Sequence, residues 1–141
     1  MTAAFSTPSN RNKTFIFLAI CGLLAIAAAT VGIDDNPPGI LLAFLSATTF
    51  VLAFVHPWRT AKKFMILLLA SVLGFVLYII LNIILDTAAQ DPATAGALQG
   101  LLESPVANAL SIIIAMLCAA AFIVGAVGSV VMVIRNRRRP A

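Results

Sequence analysis

Four long apolar runs, separated by short polar stretches, dominate the pattern of the chain. They cover residues 14–33, 39–55, 63–85 and 106–134. A helix that crosses a bilayer needs about 20 apolar residues at a rise of about 1.5 Å each. The fourth run exceeds that length, so its helix either tilts or projects into water. The pattern predicts an all-α fold, a four-helix transmembrane bundle that forms a single integral membrane domain over residues 1–141.

Polar residues between the runs carry signals that begin helices. Asn36 precedes Pro37 at the second run, and Ser104 precedes Pro105 at the fourth run. Small polar side chains favour the N-cap, and proline favours the first helical position. Only a few residues separate the first two runs, so we expect their helices to be antiparallel neighbours.

The connection between the third and fourth runs is longer and contains a helix signal of its own. Asp91 followed by Pro92 is typical of an N-cap and a first helical position. The apolar residues that follow would share one helical face: Leu98, Leu101 and Leu102. We therefore expect a short amphipathic surface helix over residues 92–102, lying on the outer membrane surface.

The composition indicates that lipid, rather than water, surrounds these helices. The chain is 62% hydrophobic, has a mean hydropathy of +1.08 and is 10% charged, whereas soluble domains are about 25% charged. The bilayer must accept most of this apolar surface.

The first run is longer than the apolar core of a signal peptide, so we expect a true span. Cys21 and Cys118 lie in separate runs without a CxxC spacing and are expected to be small packing residues.

Charge is segregated between the connections. If the four spans alternate in direction, all nine basic residues lie on one side of the membrane and all five acidic residues on the other. The acidic residues are Asp34, Asp35, Asp86, Asp91 and Glu103. The positive-inside rule then predicts an N-in/C-in topology in the inner (cytoplasmic) cell membrane, with both termini cytoplasmic.

Most residues of the basic stretches are expected to contact lipid headgroups. This set comprises Trp58, Arg59, Lys62, Lys63, Arg135, Arg137, Arg138 and Arg139. Tryptophan favours the interfacial layer, and Lys and Arg beside a span bind the anionic inner leaflet. The basic tail therefore indicates membrane lipids as partners, and not nucleic acid. His56, the single histidine, is expected to cap a helix or to lie at the interface.

Small residues recur along three of the runs at steps of three, four or seven. The expected packing residues of the first and fourth helices are Gly22, Ala25, Ala29, Ser111, Cys118, Gly125 and Ser129. The second run has a similar series of Gly39, Ala43, Ser46 and Ala53. Apolar burial cannot drive helix association in lipid, so small residues that allow close approach indicate helix contacts.

One line of polar residues runs along the third span. Tyr78, Asn82 and Asp86 are spaced four apart and share a helical face. Two interpretations remain open: hydrogen bonds that hold the helices in register, or a shallow outer polar pocket. The candidate pocket comprises Asp34, Asp35, Asn36, Tyr78, Asn82, Asp86 and Asn108.

Asp34 and Asp35 are the only adjacent acids in the chain. They would stabilise the positive N-terminal end of the second helix. An alternative is a cation held by the oxygens of Asp34, Asp35 and Asn36. Three ligands from one loop indicate such a site only weakly, so we expect no metal.

Several kinds of chemistry lack their usual residues. No Asp, Glu, Lys, Arg or His lies in the middle of a run, although ion-coupled carriers usually need such a residue. The two halves show no inverted repeat. The sequence contains no recognisable nucleophile–base pair, metal cluster or Gly-rich phosphate loop. We therefore expect that the protein is not an enzyme and uses no cofactor.

The run GIDDNPPGILL, continuing through LAFVHPWRTAKKF, resembles an uncharacterised family of small bacterial multi-span membrane proteins. That family has a DDNPPG loop after the first span and a basic loop after the second. The resemblance covers residues 20–85 and implies a bacterial polytopic protein without an assigned activity.

Two functional hypotheses follow. The leading one is a non-catalytic accessory or scaffold subunit, or a homo-oligomer, that acts through helix–helix contacts with a protein partner or a second copy. The alternative is a channel or transporter for a small or lipophilic solute that uses the outward-facing polar pocket.

Overall fold

Four long helices account for the architecture of the part of the chain that the structure describes. The computed structural model describes residues 7–33, 36–90, 96, 100 and 104–137. The helices are α1 (Pro8–Val31), α2 (Pro37–Val55), α3 (Ala61–Ala89) and α4 (Pro105–Arg137). Each is long and apolar enough to cross a membrane. By length and composition, the chain is thus a multi-pass membrane protein, as the four apolar runs predict.

Three of the helices, α1, α2 and α4, begin with a polar residue followed by proline. Thr7 caps α1, and its hydroxyl accepts from the Asn10 backbone N–H at 3.3 Å. Ser104 caps α4, and its hydroxyl accepts from the Ala107 N–H at 3.2 Å. Asn36 occupies the N-cap of α2 but makes no side-chain cap bond. Its amide instead donates to the Val31 carbonyl at 2.9 Å and so joins α2 to the end of α1.

The connection between α1 and α2 is tight because it uses two glycines. α1 ends at Gly32, which has a φ of +87°, a conformation that L side chains rarely adopt. A Cβ at Gly39 would overlap the Gly32 carbonyl. Both positions therefore require glycine for the hairpin to close.

The helices form a row in the order α1, α2, α4, α3. α1 packs on α2, α2 on α4, and α4 on α3; the described residues of α1 make no packing contact with α3. In the apolar stretch of α2 28% of the residues are buried, against 11% in each of the other helices. The bundle is therefore open, with α2 as its most enclosed helix.

Contacts along the row give the helix directions. α1 and α2 are antiparallel, since Thr14 contacts Ala53 and Cys21 contacts Ser46. α3 and α4 are likewise antiparallel. The two ends of the row differ in charge: Arg11, Arg59 and Arg135 lie at one end, which we call the basic end, and Asp86 lies at the other, the acidic end.

Some predictions fall outside the described part of the chain. They are the positions of Asp34, Asp35, Arg138 and Arg139, and the surface helix over residues 92–102, of which only Gly96 and Gly100 are described.

Candidate functional site: an apolar groove between three helices

A groove of about 400 Å³ lies between α1, α2 and α4, towards the acidic end. α1 and α4 form its walls, and α2 forms its floor. The residues that define it best are Cys21, Ala25, Ala43, Ala47, Ile113 and Met116. The groove is open above its floor because α2 contributes the small side chains of Ala43, Ser46 and Ala47 there. Almost all of the lining is apolar, so a fitting occupant is apolar as well.

The polar groups in the groove already have partners. The Ser46 hydroxyl donates to the Cys21 carbonyl at 3.0 Å, and the Cys21 Sγ lies 3.4 Å from the Ser46 Oγ. Ser46 thereby joins α2 to α1 in mid-helix. Since no proton donor is left over from this pair, the groove selects an occupant by shape and apolarity.

The packing face of α1 differs from the expected one. Thr14, Cys21 and Ala28, spaced by seven residues, face α2; Thr14 is fully buried and Ala28 is 2% exposed. The expected packing residues Gly22, Ala25 and Ala29 are exposed within this chain. Nothing lies within 4 Å of a Cβ placed on Gly22.

Helical geometry explains why the face of α1 that contacts α2 differs from the expected one. Two turns of an α-helix take about seven residues, so the 14/21/28 series forms one face, and the next residue points about 100° away. Gly22 and Ala29 directly follow Cys21 and Ala28, so they lie beside the contact with α2. Ala25 lines the groove. The three small residues therefore form an open edge of α1, of which Ala25 borders the groove.

The Thr14 hydroxyl fixes the basic end of the α1–α2 contact. It donates to the Asn10 carbonyl at 3.0 Å and to the Ala53 carbonyl at 3.2 Å. The first bond stays within α1, and the second crosses to α2, where Ala53 is fully buried. This bond is the counterpart, towards the basic end, of the Ser46–Cys21 bond.

The small residues of α4 lie against α3. Ser111 accepts from the Tyr78 hydroxyl at 3.2 Å. A Cβ added to Gly74 would lie 3.6 Å from the Cys118 Sγ. A Cβ added to Gly125 would lie 2.9 Å from the Leu68 backbone nitrogen. These residues thus form a seam along which α3 and α4 approach closely.

Side chains fill the space between the helices near the basic end. Val55, Phe64 and Val124 form a buried cluster. The Phe64 ring occupies the space that a side chain at position 128 would need, since a Cβ added to Gly128 would overlap it. Trp58 packs edge-on against Phe64, with ring centroids 5.5 Å apart. Trp58 is half-buried against this cluster, and its expected contact with the headgroup layer stays a prediction.

Two buried polar atoms near the basic end have no partner among the described residues: the His56 Nε2 and the Ser129 Oγ. The His56 Nδ1 lies 3.1 Å from the Ala53 carbonyl. This contact requires a proton on Nδ1, so Nε2 is the acceptor in a neutral ring. The His56 ring also lies 5.8 Å from the Phe17 ring. The expected capping role of His56 is consistent with its bond to its own helix.

The expected outer polar pocket is not assembled by its described members. Asn36 bonds to α1, and the Asn82 amide donates to the Tyr78 carbonyl of its own helix at 2.8 Å. Asp86 and Asn108 are exposed. The physical reason is the order of the row, which places the α1–α2 hairpin and α3 on opposite sides of α4. The Tyr78–Ser111 bond favours the alternative reading, hydrogen bonds that hold register.

The other expected headgroup contacts are at the surface. Arg59, Lys62, Lys63, Arg135 and Arg137 are all exposed at the basic end.

No protein-family model matches the chain, and neither a curated protein nor a solved structure matches it. The resemblance through the DDNPPG loop therefore stays a prediction.

Proposed function

We propose that the chain is a non-catalytic membrane scaffold that works as a homo-oligomer, with α1 as the contact between copies. The observation that carries this proposal is the open edge of α1 formed by Gly22, Ala25 and Ala29. These residues are exposed although each is small enough for a second helix backbone to approach closely.

Lipid makes this edge more informative than the large exposed side chains. Leucines and isoleucines on α1, such as Leu23 at 69% and Ile26 at 64% exposure, are satisfied by acyl chains and need no protein partner. A strip of glycine and alanine leaves a furrow that acyl chains fill less well than another helix does. The furrow continues into the groove over Ala25.

Symmetry favours a second copy as the occupant. If α1 of one copy packs on α1 of another, the same small residues meet from both sides, as a two-fold contact requires. α1 also has room for a partner, because α2 is its one packing neighbour among the described helices.

Topology is part of the proposal. The basic end is placed in the cytoplasm of a bacterial cell, on the basis of the charge segregation and the positive-inside rule. An enzymatic role is not proposed, because the groove offers apolar surface and paired polar groups instead of acid–base residues.

Disulfide cross-linking between copies tests the contact directly. In a background with Cys21→Ala and Cys118→Ala, an Ala29→Cys variant should form dimers upon oxidation in native membranes. Thr30→Cys is the matched control, because Thr30 lies at the same depth but about 100° further around α1. It is also exposed. Equal cross-linking of the two variants, or none at position 29, refutes α1 as the contact.

Loss of assembly gives the complementary measurement. Gly22→Leu should shift the monomer–dimer equilibrium in lipid vesicles towards monomer by about tenfold or more. Ala70→Leu on α3, an exposed position, adds similar bulk elsewhere and should leave the equilibrium unchanged. If wild-type copies stay monomeric at all protein-to-lipid ratios but co-purify with another membrane protein, the scaffold acts on a different partner.

A second candidate function is the binding of a lipophilic solute, which the apolar groove of about 400 Å³ favours. Ala43→Leu and Ala47→Leu together would fill the groove floor. They should abolish binding of a lipophilic fluorescent probe if the groove is a solute site. Under the scaffold proposal, cross-linking through position 29 persists in the presence of excess probe.

A further inference from the structure

A second pocket, of about 340 Å³, lies at the basic end. Arg59 from the α2–α3 connection lines it together with Met132, Arg135 and Asn136 of α4. We propose that this pocket binds a phosphate group, carried either by a lipid headgroup or by a free phosphate in solution. This inference is independent of the groove and of the α1 contact.

The donor set matches phosphate chemistry. Each guanidinium presents a planar fork of N–H donors that fits two phosphate oxygens at once. The Asn136 amide adds neutral donors on the same helix as Arg135. Two positive charges balance the charge of a phosphate monoester, which lies between one and two units near neutral pH.

Charge balance points to an anion in this pocket. Arg59 and Arg135 come from distant parts of the chain and line one cavity, where like charges repel. The five acidic residues lie at positions 34, 35, 86, 91 and 103, none of them in the α2–α3 connection or after α4. No acidic side chain from those segments can therefore neutralise the pair.

The helix dipole stabilises the positive charge of Arg135 but not that of Arg59. Arg135 lies in the last turn of α4, where a cation offsets the negative end of the helix dipole. Arg59 instead lies two residues before α3 begins at Ala61, beside a positive helix end. Its charge is unfavourable there unless an anion is bound.

The N-terminal end of α3 lies close to Arg59 in the chain. Thr60 occupies its N-cap without a side-chain cap bond, and its first turn contains no acidic residue. The first N–H groups of a helix have no partner within the helix and attract anions. Bound phosphate would therefore stabilise both the arginine pair and the uncapped helix end.

Trp58 provides a native reporter for this pocket. It is the single tryptophan of the chain, it precedes Arg59 directly, and its ring packs against Phe64. A change in the position of the α2–α3 connection will alter the environment of the indole, so its fluorescence reports on binding without a label.

The experiment titrates the full-length protein and follows Trp58 fluorescence in two arms. In the first, inorganic phosphate is added to protein in neutral-detergent micelles. In the second, protein is reconstituted in phosphatidylcholine vesicles that contain increasing fractions of phosphatidic acid.

The variants are Arg59→Gln with Arg135→Gln, and Arg59→Lys with Arg135→Lys. The control is Lys62→Gln with Lys63→Gln, which removes two exposed charges that do not line the pocket. Circular dichroism establishes that each variant keeps its helices.

We expect saturable binding that is at least about tenfold weaker in the double glutamine variant. It should be intermediate in the double lysine variant, because lysine keeps charge but loses the fork. The control should bind as wild type does. Saturation in the vesicle arm alone identifies the headgroup as the source, and saturation in both arms identifies a site open to free phosphate. The absence of saturation in both arms, or equal weakening by the control, overturns the proposal.

Discussion

α2 and α4 run side by side along the row, and the two halves of their contact differ. Towards the basic end, Val55 of α2 and Val124 of α4 share a buried cluster with Phe64. Towards the acidic end, Ala47 and Met116 of the same helices line an open groove. Eight residues separate the two sites on each helix, so the pair changes from closed packing to an open cleft over about two turns.

Side-chain size explains the difference. The basic half combines large residues with glycines that accept them, as Phe64 lies against Gly128. The floor of the groove has small residues without a large one to fill the space above them. Because lipid does not force apolar surfaces together, a space of this kind stays open for another occupant. The basic half of the α2–α4 contact is therefore closed by packing, whereas its acidic half leaves a space between the helices.

The largest contrast should come from the same substitution in the two halves of α2. Ala53 is completely buried, at 0% exposure. Ala47 is 8% exposed and borders the groove. Ala53→Leu should reduce the free energy of unfolding by about 3 kcal/mol, because the added side chain has no space. Ala47→Leu should change it by less than about 1 kcal/mol. Unfolding by SDS in mixed micelles measures both. Equal losses would show that the groove is closed in the folded protein.

A smaller effect is expected where α3 and α4 meet. Gly125→Ala places a Cβ at 2.9 Å from the Leu68 backbone nitrogen and 3.1 Å from its Cα, so the helices must separate. The expected loss is about 1–2 kcal/mol, after the gain of up to about 1 kcal/mol that alanine brings to a helix. Gly22→Ala is the matched control in the same titration. It has open space around it and should be neutral or slightly stabilising. A stabilised Gly125→Ala variant would contradict the seam.

How much the sequence reveals depends on whether a feature is local. The four spans and the Ser104 cap were predictable because apolar runs and capping signals are properties of neighbouring residues. The order of the row was not, since every span is apolar on most sides and nothing in the pattern says which faces meet. The same limit explains the outer pocket, which required α1 and α3 to be neighbours.

The small-residue series of α4 lies in a helix contact within this chain, whereas that of α1 does not. Both helices carry glycine and alanine at close spacing, but Gly125 has a backbone beside it and Gly22 has open space. The face that packs in α1 was marked by a polar residue, Thr14, whose hydroxyl needs a partner when buried. The groove could not be foreseen, because it depends on the large side chains that are missing above Ala43 and Ala47.

Thr14→Val tests whether a hydrogen bond contributes to closing the basic half. The bond from the Thr14 hydroxyl to the Ala53 carbonyl crosses between helices, and valine keeps its shape without the donor. We expect a loss between about 0.6 kcal/mol, the average for bonds between membrane helices, and about 1.7 kcal/mol, the largest measured in such double-mutant cycles. Thr48→Val is the control, because the Thr48 hydroxyl donates to the Phe44 carbonyl of its own helix. A similar loss in both would mean that the crossing bond adds nothing specific.

The smallest effect is expected for Tyr78→Phe, at the acidic end of the α3–α4 seam. Its hydroxyl donates to the Ser111 Oγ at 3.2 Å, and the ring also stacks on Phe75 with centroids 6.3 Å apart. Phenylalanine keeps the ring contact, so the loss should be about 0.5 kcal/mol, near the average for such bonds in membrane proteins. Ser111→Ala removes the acceptor from the other side. If the bond holds register, the double variant should lose no more than about either single variant, since each removes the same interaction. If Tyr78 instead belongs to a polar pocket with other partners, the two losses should add, and the acidic end would then have a polar site beside its apolar groove.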